Sequence, residues 1–475
     1  MRHAILLFVA LVIALLAPTD QALAHALAQR YDLPLPLNFF LVAAAAAVAL
    51  SFVVLALFRR GGERPSVAHD ATFVDAAIPQ ALVSPLRFIG VAALVLIVAA
   101  GLVGDQRTFK NIAPVSVWVL WWVGFALLAA FIGDFWALIN PWRSIFDAAQ
   151  ALTWGRKLSR QLSYPRTLGA WPACALFLLF VWIELVAPGR DVPRNVAVGI
   201  VLYSALTWGG FALFGRDVWV KNGEVFSILF SLLGRFAPLR FSDDGKWRLG
   251  LRFYGGGLLQ RQPLSPSMTG FVLLMLATVT VDGLMETPFW AAVAHNLMGG
   301  DGTPPSAASY AVLQSALLLA APVALASLYG AVIAVMARIA QTSAAKLSGV
   351  FVLSLVPIAI AYHLAHYFSL LAVAGQFIIP LASDPFGFGW DLFGTTLYRI
   401  DIGIVDAKFI WYMSVGAIVT GHIVAVWVGH RMAYALFADQ GRARRSQYPM
   451  LALMVGYTML SLWILAQPIV ELGVK

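Results

Sequence analysis

Residues 347–378 read LSGVFVLSLVPIAIAYHLAHYFSLLAVAGQFI, a run without a single Asp, Glu, Lys or Arg. About 20 residues of this kind, wound as an α-helix, cross the hydrocarbon core of a bilayer. A run this long and apolar on every face reads as a membrane span. The same run carries His363 and His366. Imidazoles are costly in lipid, so their presence there points first to function.

Runs of the same kind occupy 37–58, 86–104, 113–139, 170–188, 196–214, 267–286, 308–337, 409–430 and 449–471. Together they predict an all-α fold, a polytopic transmembrane helical bundle of about ten spans. The composition agrees: 12% of residues are charged, against roughly 25% in soluble domains. A transmembrane barrel would show alternating segments of about ten residues instead. One cysteine, Cys174, excludes both an intrachain disulfide and a cysteine metal cluster.

Arg2 and His3, the apolar core ILLFVALVIALLA and the triplet Ala22-Leu23-Ala24 read as a signal peptide over residues 1–24. An uncleaved first helix is the alternative. Cleavage makes His25 the first residue. Residues 25–475 then form a single polytopic membrane domain with its mature N-terminus and C-terminus outside. The inside loops become 59–87, 140–170, 215–266, 338–346 and 431–448, and they hold 23 of the 32 Lys and Arg residues. This bias is what the positive-inside rule requires, and it predicts the bacterial inner (cytoplasmic) membrane. It also accounts for the net charge of +9 by contact with anionic lipid, so the lipid bilayer is the expected partner and no nucleic acid is needed. Inside loop 215–266 contains VFSILFSLLGRFAPLRF, read as an interfacial or partly buried helix. Outside loop 379–407 is rich in Gly, Asp and aromatics and suits a cap over a pocket.

Ionisable groups within the spans are few. His363 and His366, three apart, share one helix face, as do Asp282 and Glu286, four apart. His422 lies in the ninth span, read as near the depth of His366. Imidazoles from two helices with a carboxylate from a third suit a divalent metal, zinc or copper, that could activate water. On spacing, His363, His366 and His422 are the expected ligands. Asp282 is a further ligand or the catalytic base, and Glu286 steadies the ligand set. His25 offers a second device, since an amino-terminal histidine can chelate copper through its amine and ring. Haem b clamped between facing histidines is the alternative cofactor. Histidine hydrogen bonds that only join helices are the plain structural alternative. His295 and His69 read as loop residues, and His430 as an interface residue beside Arg431. Neither a nucleophile elbow nor a phosphate-binding glycine loop is present.

Several stretches carry a resemblance: HALAQRYDLPLPLNFFLVAAAAAVALSFVVLALF at 25–58, NPWRSIF at 140–146, YHLAHYFSLL at 362–371, SDPFGFGWDLFG at 383–394 and SQYPMLALMVGYT at 446–458. They resemble the integral membrane proteins called fenitrothion hydrolases, from the mature N-terminus to the last span. The resemblance implies hydrolysis of an organophosphorus triester, an apolar small-molecule substrate, with release of a nitrophenol. It implies a second membrane protein subunit as partner, and it brings no catalytic residues with it. Two other classes use the same intramembrane groups: a transporter or channel for a metal ion or small solute, and a copper- or haem-binding redox component. The inverted repeats typical of the former are not visible.

Overall fold

In a computed structural model of the chain, residues 35–57, 73–243, 245–260, 262–298 and 306–467 are described. Among them, nine helices are long and apolar enough to cross a membrane: Leu37–Leu57, Gln80–Val103, Ile112–Phe131, Pro193–Phe214, Pro266–Met285, Ala307–Ala340, Ala344–Ser383, Ala407–Leu436 and Gln440–Leu465. The protein is an all-α polytopic membrane protein, as the apolar runs predict. The expected signal peptide and His25 lie outside the described residues, as does His69.

The run at 170–188 differs from expectation. Its helix is Trp171–Leu185, only 15 residues long, or about 22 Å at 1.5 Å per residue, against a hydrocarbon core of about 30 Å. Pro172 opens it and Pro188 follows its end, and proline fits only the first turn of a helix. In loop 215–266 the apolar stretch forms the helix Val225–Gly234, eight of whose ten residues are buried.

Contacts divide the chain into two compact units. The first comprises residues 1–68, 259–366 and 406–475. Here Leu37–Leu57 packs on Ala407–Leu436 and Tyr448–Leu465, and Pro266–Met285 packs on Ala307–Ala340. Pro266–Met285 buries fourteen of its twenty residues, as a helix apolar on all faces must. Ala407–Leu436 passes the His-bearing helix at Gly421. A Cβ there would lie 2.4 Å from Ala361 Cβ and 2.8 Å from the Pro357 carbonyl oxygen. Small residues allow such close approach between membrane helices. Gly421→Ala is therefore expected to destabilise the protein by about 1–3 kcal/mol through overpacking, seen as a lower melting temperature. Gly416→Ala is the control, because a Cβ there meets nothing within 4 Å. Equal losses at the two positions would contradict this packing.

The second unit comprises residues 69–258 and 367–405. Strands β1 (Val74–Ala77), β2 (Leu239–Asp243) and β3 (Trp247–Leu251) form an antiparallel sheet in the order β1-β3-β2. Arg248 and Asp75 pair across β3 and β1 at 2.8 Å. Helices Gln80–Val103 and Pro193–Phe214 meet at Gly101, where a Cβ would stand 2.6 Å from the Pro193 carbonyl oxygen. Loop 379–407 is held by side-chain hydrogen bonds to its backbone. The Asp384 carboxylate accepts the N–H groups of Phe388 and Gly389, and Gln376 bonds both backbone groups of Asp401. Gly387 and Gly389, at φ of 73° and 88°, supply the left-handed turns this loop needs.

Candidate functional site

Asp282 and Glu286 stand at the C-terminal end of Pro266–Met285. The helix stops at Glu286 because Thr287-Pro288 follows and the residue before a proline resists helical geometry. Asp282 is buried and Glu286 exposed, so the pair runs from the interior of the unit to its surface. This placement is electrostatically costly. The last turn of a helix presents unpaired carbonyl groups and the negative end of the macrodipole, which favours cations there. Two carboxylates in that turn call for a compensating positive charge.

His366 supplies the neighbouring group. It lies on the helix Val356–Ala374, and its Nε2 is 3.0 Å from Asp282 Oδ2, with side chains only 8% and 11% exposed. One ligand atom each from Asp282, Glu286 and His366 falls within 4.8 Å of the others. Two ligands bound at about 2.1 Å to one ion are roughly 3.0–3.4 Å apart in octahedral or tetrahedral geometry. The His366–Asp282 spacing thus suits a shared ion as well as a hydrogen bond. An oxygen, oxygen and nitrogen donor set fits a divalent cation of the zinc or manganese kind.

The layer behind this group is polar and enclosed. Tyr362, one helical turn before His366, is fully buried, and its ring centroid lies 6.2 Å from that of His366. Its hydroxyl has no hydrogen-bond partner among the described residues and is directed at Gly283, where a Cβ would come within 2.7 Å of it and 3.6 Å of His366 Nδ1. Tyr457 shares a hydrogen bond with Thr280, two residues before Asp282. Removing a buried, unpartnered hydroxyl relieves a desolvation cost. Tyr362→Phe is accordingly expected to leave the melting temperature unchanged or raised; a fall of several degrees would show that the hydroxyl is satisfied.

Of the residues singled out by sequence, Asp282, Glu286 and His366 come together. His363 lies outside that group although it shares a helix with His366. His422 is also outside. It is fully buried, its Nδ1 donates to the Ile418 carbonyl at 2.8 Å, and its ring sits 6.3 Å from that of Tyr457. The depth match with His366 fails. The Ser414 hydroxyl donates to the Ala365 carbonyl at 3.2 Å, and Gly421 packs against Ala361 and Pro357, so His422 lies more than one helical turn away from the level of His366. His422 Nε2, with no hydrogen-bond partner among the described residues, belongs to the Tyr457–Thr280 level instead. His295 is exposed near the end of Pro288–Met298. His430 bonds Gln447 at 3.1 Å and packs on Tyr434, a structural role.

Tyr362 went unremarked in the sequence although its i, i+4 spacing to His366 places it on the same face. The second unit holds another unremarked carboxylate, Glu224. It is fully buried and accepts from the Tyr203 hydroxyl at 2.6 Å, Asn140 Nδ2 at 3.1 Å and the backbone N–H groups of Phe226 and Ser227. It caps Val225–Gly234, and its signal was an acidic residue directly before a ten-residue apolar run. No protein-family model, curated protein or solved structure matches this chain, so the Asp282–Glu286–His366 group rests on its own geometry.

Proposed function

We propose that the chain is a membrane-embedded hydrolase in which Asp282, Glu286 and His366 hold a divalent metal ion, and that its substrate is a neutral, apolar organophosphorus triester. The observation that carries this reading is the convergence of two carboxylates and an imidazole at a helix C-terminus, where the backbone dipole opposes negative charge. A cation resolves that conflict. When bound, it polarises the phosphoryl oxygen and acidifies a water. Asp282 Oδ2 and His366 Nε2, which face each other at 3.0 Å, would be offered to the ion together. Glu286, exposed at the surface of the unit, takes the proton on the carboxylate oxygen not given to the ion as the water oxygen bonds to phosphorus. The phosphorus–aryloxy bond breaks and a nitrophenolate leaves. An apolar triester concentrates in lipid, so helices that hold such a group beside the bilayer meet their substrate there.

The buried Tyr362 hydroxyl and His422 Nε2 favour a second reading, a proton or ion pathway through the same unit. One experiment separates the two. Membranes carrying the chain, with and without a second membrane subunit, are assayed for nitrophenol release before and after chelation. A hydrolase loses the reaction on chelation and regains it with zinc. Solute or ion uptake by proteoliposomes without any ester turnover would favour the pathway.

A further inference from the structure

A separate cavity lies at the ends of four helices of the first unit. Residues 341–343 join Ala307–Ala340 to the helix Ala344–Phe351, and residues 437–439 join Ala407–Leu436 to the short helix Gln440–Arg445. Both connectors line one cavity of about 350 Å³, so they sit at the same face of the unit. Lys346, Arg442, Gln341, Thr342 and the carboxylate Asp439 supply its polar lining, and Leu347, Leu436 and Phe437 its apolar floor.

The polar side is positively biased. No carboxylate pairs with Lys346 among the described residues. Asp439 approaches Arg442 only at 3.8 Å, with the two side chains 61% and 41% exposed, and its carboxylate already accepts the N–H groups of Gly441 and Arg442. A pair this open is weak. Arg444 and Arg445 follow within one helical turn. The helix Ala344–Phe351 also opens here. Its first residue is preceded by Ser343, whose side chain makes no capping hydrogen bond, so the positive end of that helix adds to the field of Lys346. Leu436 and Phe437 are half-buried and continue the apolar surface of a spanning helix into the cavity. A free inorganic anion has no use for that floor, whereas an amphiphile with an anionic head uses both parts.

We propose that this cavity binds the phosphate of an acidic phospholipid, with Lys346 and Arg442 as its cationic contacts and Leu436 and Phe437 against the glycerol and upper acyl chain. Basic pockets between membrane helices commonly take such headgroups. The test uses the full chain, purified in detergent, titrated with phosphatidylglycerol, phosphatidylcholine or inorganic phosphate and read by native mass spectrometry and melting temperature. Phosphatidylglycerol is expected to stay bound and raise the melting temperature, with the gain shrinking at high salt. Phosphatidylcholine should bind at least tenfold more weakly. The Lys346→Gln/Arg442→Gln double variant should lose tenfold or more in phosphatidylglycerol binding while melting normally without lipid, and the charge-conserving Lys346→Arg variant should retain binding. Equal binding of the two lipids, or full binding by the double variant, overturns the site. Inorganic phosphate binding as tightly as phosphatidylglycerol overturns the lipid assignment in favour of a free anion.

Discussion

Asp282→Asn is expected to lower triester hydrolysis by about 100-fold or more and to strip the purified chain of metal. The substitution keeps the shape of the side chain and leaves an oxygen near His366 Nε2, so packing is preserved. It removes the negative charge that a buried carboxylate contributes beside His366. A neutral amide is a poor ligand for zinc, so the ion would keep only Glu286 and His366. The melting temperature distinguishes this from unfolding. A variant that melts normally yet retains metal and rate would exclude Asp282 from the site. The parallel substitution His363→Ala, outside the group, should leave metal content unchanged.

The second large effect is on stability and falls in the other unit. Glu224→Ala is expected to destabilise the protein by about 3 kcal/mol or more. The loss leaves the Tyr203 hydroxyl and the first N–H groups of Val225–Gly234 without the buried carboxylate that accepts from them, and the Asn140 amide with Ser227 Oγ as its remaining acceptor. Each stranded donor costs about 1–3 kcal/mol, and the helix loses its cap. Glu224→Gln, which keeps one acceptor oxygen, should lose less. The ranking is read from folded yield in detergent and from melting temperature. An alanine variant as stable as the parent would mean that water replaces the carboxylate.

The architecture was legible where apolar runs were long. The run at 37–58 reappears almost unchanged as Leu37–Leu57, because a span is dictated by unbroken hydrophobicity over about 20 residues. It was less legible where prolines trim a run, as at Pro172 and Pro188, which leave only Trp171–Leu185. VFSILFSLLG was visible as an apolar helix, but its burial depends on Glu224 and on the aromatic rings of Trp121 and Phe180, which pack against Phe226 from distant parts of the sequence. The site divided in the same way. Residue type and the i, i+4 rule singled out Asp282 and Glu286 as one face of one helix. The choice of His366 over His363 and His422 depends on how each helix is rotated and how far it extends. A sequence with helices of similar hydrophobicity on all sides does not encode that in a form spacing can reveal.

The most direct test of the account is the metal content of the purified, detergent-solubilised chain, measured by elemental analysis alongside the Asp282→Asn/Glu286→Gln/His366→Ala triple variant. The account predicts about one divalent ion per parent chain, with X-ray absorption showing oxygen and nitrogen ligands and a single imidazole, and none in a triple variant that still folds. A parent chain that takes up no ion when zinc or manganese is supplied, or a folded triple variant that keeps its ion, would contradict it.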